Sequence, residues 1–403
     1  MYNKKRFNFP KIFLLTFFSV FGGVWLFFEP FTLGFEYYLI LVFLSLVITL
    51  IFIYSRYVKK KRIPLRNIII GSVKYLLSCN THWGEYYDSK TPKIANVVEG
   101  LLVLIYGDDI LTSSIRSKTR AQLSESISFL LSNLKREGFQ SISIGKSTIH
   151  ATAMGLFCLR LAQDKALDQS KISNDKLIEL SNCLVKSYSN GWGFLTDYPN
   201  KENEVRIFST IWALRALNLC DSSMNFAQKM EALVRRVPNG QFGFTYNDNP
   251  KVAMMSLFLI LLSELRDSKL RDEMIEYLGG IDDIIELIIQ RLEKGIWIEI
   301  EEYSVPSGKL SGIEKLSWTH ISIGLALQAL GHFKYWLSKE IHCKVNSIIR
   351  ELLDNHFKDF VFKHPLLKQD KNKPLLYPIT YIVVGLTIWH KTDYGGNADN
   401  DYR

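Results

Sequence analysis

The sequence predicts an all-α chain in which an N-terminal two-helix transmembrane hairpin precedes an (α/α)6 toroid. Two observations support this prediction: two long uncharged runs near the N-terminus, and a unit of about fifty residues that recurs from residue 64 onward. The expected domains are the hairpin over residues 1–63, the toroid over 64–392 and a flexible tail over 393–403. A length of 403 residues with 47% hydrophobic and 22% charged residues excludes a disordered or collagen-like chain.

The net charge of +9 is concentrated at the N-terminus. Residues 1–66 hold ten basic and two acidic residues, which leaves 39 basic and 38 acidic residues in the other 337. A protein that binds nucleic acid is expected to carry its basic residues as a patch on the folded body. Because the body is nearly neutral, we expect no nucleic-acid partner.

The basic residues flank two uncharged runs, 12–28 and 37–55. Each run falls in the range of about 17–25 residues that a helix needs to cross a bilayer. A cleaved signal peptide is the alternative for the first run, but no small-x-small cleavage site follows it. The link between the runs lacks Lys and Arg, so the positive-inside rule places both termini in the cytoplasm. We therefore predict a multi-pass protein of the inner (plasma) membrane, with the lipid bilayer as a partner and the hairpin as a candidate site for homo-oligomer formation.

From residue 64 the chain alternates amphipathic helices with helices that are apolar on nearly every face. In the third unit, the amphipathic segment 175–187 precedes the loop NGWGFLTDYPN and the apolar segment 205–220. A helix that is apolar all round is expected to be buried, and an amphipathic helix to cover it. Each unit carries one loop aromatic: Trp83, Phe139, Trp192, Phe242, Trp297 and Phe360. Six such helix pairs predict two concentric layers that close into a toroid.

The segments NGWGF…NEVRIFSTIWALRAL and NGQFGFTYNDNPKVAMMSLFLIL resemble repeats of the terpenoid cyclase and protein prenyltransferase α/α-toroid superfamily, which includes the squalene cyclases. The resemblance covers roughly residues 64–392. It implies six inner helices around a central cavity lined by aromatic residues. In the enzymes of that superfamily the cavity takes isoprenoid chains, whereas other members bind protein or act as scaffolds.

The acidic motifs of these enzymes are absent. No D-x-D-D string occurs, and the nearest cluster, Asp282, Asp283 and Glu286, follows two glycines and opens an outer helix. Acidic residues in a first turn stabilise the helix dipole, so we interpret this cluster as a cap. Asp108 and Asp109 are interpreted in the same way, as a turn or cap. No catalytic residue is therefore assigned.

Metal-binding motifs are incomplete as well. None of the five cysteines has the D-x-C spacing of the prenyltransferase zinc site. Cys79 with His82, and His342 with Cys343, supply two candidate ligands each, whereas a zinc site in a protein needs three or four. We expect no metal and no cofactor.

Polar residues at the starts of the inner helices remain as candidate ligand-binding residues of the cavity: His150, Arg206, Thr210, Trp318, His320 and Tyr381. For the two histidines the alternative is a hydrogen-bonded core residue. For Arg206 it is a salt bridge to Glu202, four residues earlier. The long loop 299–315 either covers one mouth of the toroid or is a surface excursion.

Two functions follow from these predictions. The first is a membrane-anchored sensor or effector whose toroid binds a hydrophobic or anionic small ligand or a protein partner. By analogy of architecture alone, such a protein acts on membranes in bacterial immunity. The second is an isoprenoid-modifying enzyme, similar to a terpene cyclase or prenyltransferase, that works at the membrane. Whether the protein is an enzyme stays open at this point.

Overall fold

In this computed structural model the described residues are 42–49, 64–79, 82–86, 89–135, 138–140, 147–167, 172–189, 191–193, 205–220, 226–306, 313–367 and 374–394. The chain divides into two compact units, Met1–Pro64 and Leu65–Arg403. In the first unit, residues 42–49 are helical. The second unit contains the repeats.

The predicted transmembrane hairpin has no support in the described residues. The run 12–28 lies outside them, and of the run 37–55 only residues 42–49 lie inside. No helix in the described part of the chain is long and apolar enough to cross a bilayer. Val252–Glu264 is one of the most apolar helices, but it has only 13 residues. Its apolar side chains are buried within the second unit. The predicted inner-membrane location is therefore corrected, and a bilayer partner and a hairpin oligomer have no support in the described residues.

The second unit is mainly helical. In chain order its helices are α1 (Leu65–Ser78), α2 (Ile94–Tyr106), α3 (Ser113–Ser132), α4 (Ile149–Asp164), α5 (Asn174–Lys186), α6 (Ile207–Leu219), α7 (Phe226–Arg236), α8 (Val252–Glu264), α9 (Ser268–Tyr277), α10 (Asp282–Glu293), α11 (Ser322–His332), α12 (Lys339–Glu351) and α13 (Tyr377–Tyr394). Helices α2, α4, α6, α8, α11 and α13 form an inner ring in which each packs against the next, and α13 packs against α2. The ring is closed, which confirms the predicted α/α toroid.

Burial explains which helices lie inside. Every residue of α8 from Val252 to Leu262 is buried, as expected for a helix that contacts protein on all sides. The outer helix α7 buries only Met230, Leu233 and Val234, which share one face at helical spacing. Outer helices thus use one apolar stripe, and inner helices use their whole surface.

The loop aromatics anchor each inner helix to the loop that precedes it. The carbonyl oxygens of five of them accept a hydrogen bond from the backbone N–H of a residue at the start of the next inner helix. The pairs are Lys93 to Trp83 (3.3 Å), Thr148 to Phe139 (3.2 Å), Arg206 to Trp192 (3.0 Å), Lys251 to Phe242 (2.8 Å) and Ile323 to Trp297 (3.1 Å). The same connection therefore recurs around the ring and brings the N-terminal ends of the inner helices to one mouth.

The second unit is not all-α, and this part of the prediction was wrong. Strand β1 (Glu299–Pro306) pairs antiparallel with β2 (Ile313–His320), in the region predicted as a loop over 299–315. Two shorter strands, β3 (Phe357–Lys358) and β4 (Val361–Phe362), also pair antiparallel. The alternation expected of a strand is present in β1 but unusual, because its buried side carries the acidic Glu299 and Glu301.

Candidate functional site

A cavity of about 120 Å³ lies at the N-terminal ends of the inner helices. This volume is well below the roughly 300–1,000 Å³ of pockets for drug-sized ligands. Aromatic and polar side chains share its lining, chiefly Phe208, Trp212, Trp318, Tyr377, Tyr381, Glu85, Lys93, Asn96 and His320. The cavity therefore suits one small ligand that has both an apolar face and polar groups.

The β1–β2 hairpin supplies one wall of the cavity and an ion pair behind it. His320, at the end of β2, lines the cavity, and its Nε2 lies 3.0 Å from Oε2 of Glu301 on β1. The other carboxylate oxygen accepts a hydrogen bond from Arg206, the N-cap residue of α6. Burial alone would raise the pKa of Glu301, but the hydrogen bond and charge of His320, together with Arg206, hold this pKa below its ordinary value. Glu301 is thus a buried carboxylate that orients His320.

Lys93 forms the opposite charged group of the cavity. Its ammonium lies 3.3 Å from Oε1 of Glu85. It also lies 5.2 Å from the ring centroid of Trp318 and 4.8 Å from that of Tyr377, so cation–π attraction adds to the ion pair. Burial lowers the pKa of Lys93, against the opposing charge of Glu85. The charges of Lys93 and Glu85 balance each other at the mouth.

The structure brings together some of the predicted site residues. Trp318, His320 and Tyr381 line the cavity. The ring of His150 lies 4.9 Å from that of Trp318, and burial lowers its pKa to about 3, so this histidine is neutral at pH 7. Thr210 is not part of the lining: its hydroxyl oxygen accepts a hydrogen bond from the backbone N–H of the loop residue Trp192, at 3.1 Å.

Arg206 pairs with a residue that the sequence did not suggest. Glu202, the alternative partner considered for Arg206, lies outside the described residues, and Arg206 donates a hydrogen bond to Glu301. The sequence argument also missed Lys93 and Asn96, although both lie at the start of an inner helix, as the other candidates do. Position in the repeat was the signal that would have found them.

A buried polar cluster lies further along the inner helices. Oε2 of Glu99 accepts a hydrogen bond from Gln328 at 2.9 Å, and its Oε1 has no partner. Burial raises the pKa of Glu99 to about 8, although the charge of Arg215 opposes the shift. Arg215 itself donates two hydrogen bonds of 2.7 Å to Glu264 and so joins α6 to α8. Glu99 is therefore mostly protonated at pH 7.

The acidic motifs lie away from the cavity. Asp282 and Asp283 occupy the first turn of α10, and Asp108 and Asp109 lie in the turn that follows α2. Within the described ranges, no three or more Cys, His, Asp or Glu side chains are grouped so that they could hold a metal ion.

Comparisons with known proteins identify the fold. No protein-family model matches the chain, and no curated protein matches it. An inactive variant of the α-1,6-mannanase GH76A of Salegentibacter sp. HEL1_6, solved with α-1,6-mannotriose, is similar in structure. The TM-score is 0.53 at 12% identity, over 81% of this chain and 99% of that chain. An unsaturated glucuronyl hydrolase specific for heparin has a TM-score of 0.50 at 12% identity, over 82% and 96% of the two chains. At these identities the likeness shows the fold, an α/α toroid.

The suggested relation to terpenoid cyclases and prenyltransferases was therefore wrong. The similar solved structures are toroids that act on carbohydrates, according to their descriptions. The physical reason lies in the repeat: alternating outer and inner helices recur in any α/α toroid, so the pattern specifies the architecture and not the ligand. The small cavity with paired charges also differs from an apolar tunnel for an isoprenoid chain. The sensor or effector role and the isoprenoid enzyme are both corrected on these findings.

Proposed function

We propose that the protein binds a carbohydrate at the N-terminal mouth of its toroid. The observation that carries this proposal is the mixed lining of the cavity, in which Trp318, Tyr377 and Tyr381 lie beside Lys93 and His320. Sugar rings present apolar C–H faces and polar hydroxyls, and a pocket of aromatic faces with a few fixed polar groups matches both. The volume of about 120 Å³ admits one sugar unit at most.

Toroids of similar structure support the same ligand class. The mannanase variant was solved with α-1,6-mannotriose, and the glucuronyl hydrolase is described as specific for heparin. These proteins differ in whether their sugars are neutral or acidic. The comparison therefore favours a carbohydrate ligand. Whether that carbohydrate is neutral or acidic has to be inferred from the side chains of this cavity.

A second candidate function, catalysis on the bound sugar, is favoured by the His320–Glu301 pair. The Glu301 carboxylate holds Nε2 of His320 at 3.0 Å, so Nδ1 is the ring nitrogen left to take a proton from an attacking water. As the glycosidic bond breaks, the same nitrogen gives a proton to the departing sugar oxygen. A buried carboxylate also stabilises the imidazolium that such a transfer forms. His320 is then the catalytic residue and Glu301 the positioning residue.

The usual two-carboxylate mechanism of glycosidases is less well supported. That mechanism needs two carboxyl groups about 5–10 Å apart across the bond that is cleaved. Among the described residues, the glutamates near the mouth are already engaged: Glu85 with Lys93, and Glu301 with His320 and Arg206. Glu299 accepts hydrogen bonds from the first backbone N–H groups of α8, at 3.1 and 2.8 Å. Proton transfer by a histidine is therefore the chemistry that we assign.

Calorimetric titration of the full chain tests the proposal. The panel contains α-1,6-mannotriose, an unsaturated heparin disaccharide and the methyl glycosides of D-mannose, D-glucose and D-galactose. We expect at least one to bind, and Trp318→Ala to weaken binding at least about tenfold, since it removes an aromatic wall. The matched control is Trp336→Ala, because Trp336 is 58% exposed and does not line the cavity. Failure of every sugar to bind, or equal affinity of both variants, would refute the proposal.

Product analysis tests the catalytic part separately. The oligosaccharides of the panel are incubated with the protein and separated by chromatography. Cleavage that is lost in His320→Gln, while calorimetric binding persists, supports the assigned role. Cleavage that survives this substitution contradicts it.

A further inference from the structure

Two buried polar atoms in the cavity wall have no hydrogen-bond partner. They are Oδ1 of Asn96, on α2, and Nε1 of Trp212, on α6. Both side chains are fully buried, and both residues line the cavity. Buried polar groups in folded proteins are nearly always paired. The acceptor and the donor belong to two residues that line one small cavity, and together they point to a ligand group that pairs with both.

The orientation of each atom is fixed by its surroundings. Nδ2 of Asn96 donates to the carbonyl oxygen of Gly84 at 2.6 Å, so the amide cannot be reversed without placing two acceptors against each other. The Trp212 ring lies between other groups: the Arg215 guanidinium is 4.1 Å from its centroid and the Phe157 ring 5.6 Å. The free acceptor and the free donor thus belong to side chains that are held in place by their neighbours.

We propose that Asn96 and Trp212 form a hydroxyl-recognition subsite of the cavity. A hydroxyl group donates one hydrogen bond and accepts others, so it can donate to Asn96 Oδ1 while it accepts from Trp212 Nε1. A carboxylate only accepts, and it would oppose the Asn96 oxygen. This inference rests on the proposed carbohydrate function and narrows it: the sugar end that enters here is neutral.

If one hydroxyl is recognised in this way, substitutions of two tryptophans should affect sugar affinity differently. Trp212→Phe keeps the aromatic ring and removes the indole N–H. Trp83→Phe is the matched control, because Nε1 of Trp83 is also buried without a partner but Trp83 does not line the cavity. A net hydrogen bond changes affinity by about 3- to 10-fold. We expect that loss for Trp212→Phe and no loss for Trp83→Phe.

The test uses the full chain and methyl α-D-glycosides of mannose, glucose and galactose, with their 2-, 3-, 4- and 6-deoxy derivatives and their uronic acids. The loss caused by Trp212→Phe should disappear for the deoxy sugar that lacks the recognised hydroxyl. Asn96→Ala should lose affinity for the same parent sugar and not for that deoxy derivative. Each uronic acid should bind more weakly than its neutral parent. Circular dichroism verifies that each variant is folded.

The outcomes separate this inference from the proposed function. Sugar binding that depends on Trp318 but responds equally to Trp212→Phe and Trp83→Phe would overturn the subsite and leave the carbohydrate function intact. Tighter binding of a uronic acid than of its neutral parent would do the same. Absence of all sugar binding would overturn both proposals.

Discussion

Glu99→Gln is expected to stabilise the fold at neutral and alkaline pH. Glu99 is 1% exposed and accepts one hydrogen bond, from Gln328. Glutamine has the same shape and no charge, and its side-chain oxygen accepts the same bond. The substitution therefore removes the cost of ionising a buried carboxyl group while it keeps the packing.

The magnitude follows from the shift in pKa. Burial raises the pKa of Glu99 from 4.5 to about 8, so between these pH values the folded protein keeps a proton that the unfolded chain has released. The contribution of Glu99 is therefore fully present below pH 4.5 and is lost as the pH rises to about 8. Each pH unit lowers the free energy of unfolding by about 1.4 kcal/mol. By pH 7 the wild-type protein has lost about 3 kcal/mol, and by pH 8 about 4 kcal/mol, which the glutamine variant keeps.

Urea denaturation of both proteins at pH 5, 6, 7 and 8 measures this difference. Burial lowers the pKa of His150 to about 3 and that of His332 to about 4, so these two groups add stability as the pH rises toward 6.5. That contribution is common to both proteins and cancels in the difference. Glu302→Gln, on the exposed side of β1, is the control for removing a carboxyl group from the surface. A difference for Glu99→Gln that does not grow with pH would refute the reasoning.

Three further predictions concern stability. Glu301→Gln should lower the free energy of unfolding by about 3–5 kcal/mol in urea denaturation, because it leaves the buried Arg206 without its carboxylate; a loss below about 1 kcal/mol would contradict the buried ion pair. Gly324→Ala should lower the thermal midpoint, since a Cβ atom there would lie 2.8 Å from the backbone of Tyr381, and overpacking costs about 1–3 kcal/mol; an unchanged midpoint would show that α11 and α13 are less closely packed. His150→Phe should reduce the loss of stability between pH 6 and pH 4. In this range the unfolded chain takes up a proton at His150, whereas the folded protein, in which the pKa of His150 is about 3, does not. Equal acid sensitivity of both proteins would show that His150 is not the cause.

The architecture could be predicted from local patterns. Amphipathic and fully apolar helices differ in their periodicity, and the loop aromatics recur at intervals set by the length of one helix pair. The carbonyl groups of those aromatics turned out to bond the start of each inner helix, which explains why the spacing is regular. These signals lie within one repeat, so a single sequence contains them.

The site depends on contacts that no local pattern contains. Arg206 and Glu301 are separated by 95 residues, and nothing near Arg206 indicates that its partner lies on a strand. The β1–β2 hairpin was missed for a related reason. A strand is predicted from apolar residues on its buried side, whereas β1 buries two glutamates. These glutamates bind a histidine, an arginine and the N-terminus of a helix. The ligand class was missed because the helix repeat is common to toroids with different ligands.

The closure of the ring has a consequence for synthesis of the chain. The backbone N–H of Leu376 donates to the carbonyl of Glu85 at 2.8 Å, and Tyr86 forms a bridge with Leu375, so the first loop of the toroid is tied to the last. The cavity wall contains residues from both ends of this connection, Glu85 and Tyr377. The cavity therefore cannot form until almost the entire repeat region has left the ribosome. A chain that is terminated before this point lacks the cavity. In an open solenoid each repeat stabilises its neighbours as it emerges, whereas here the last helix completes the binding site.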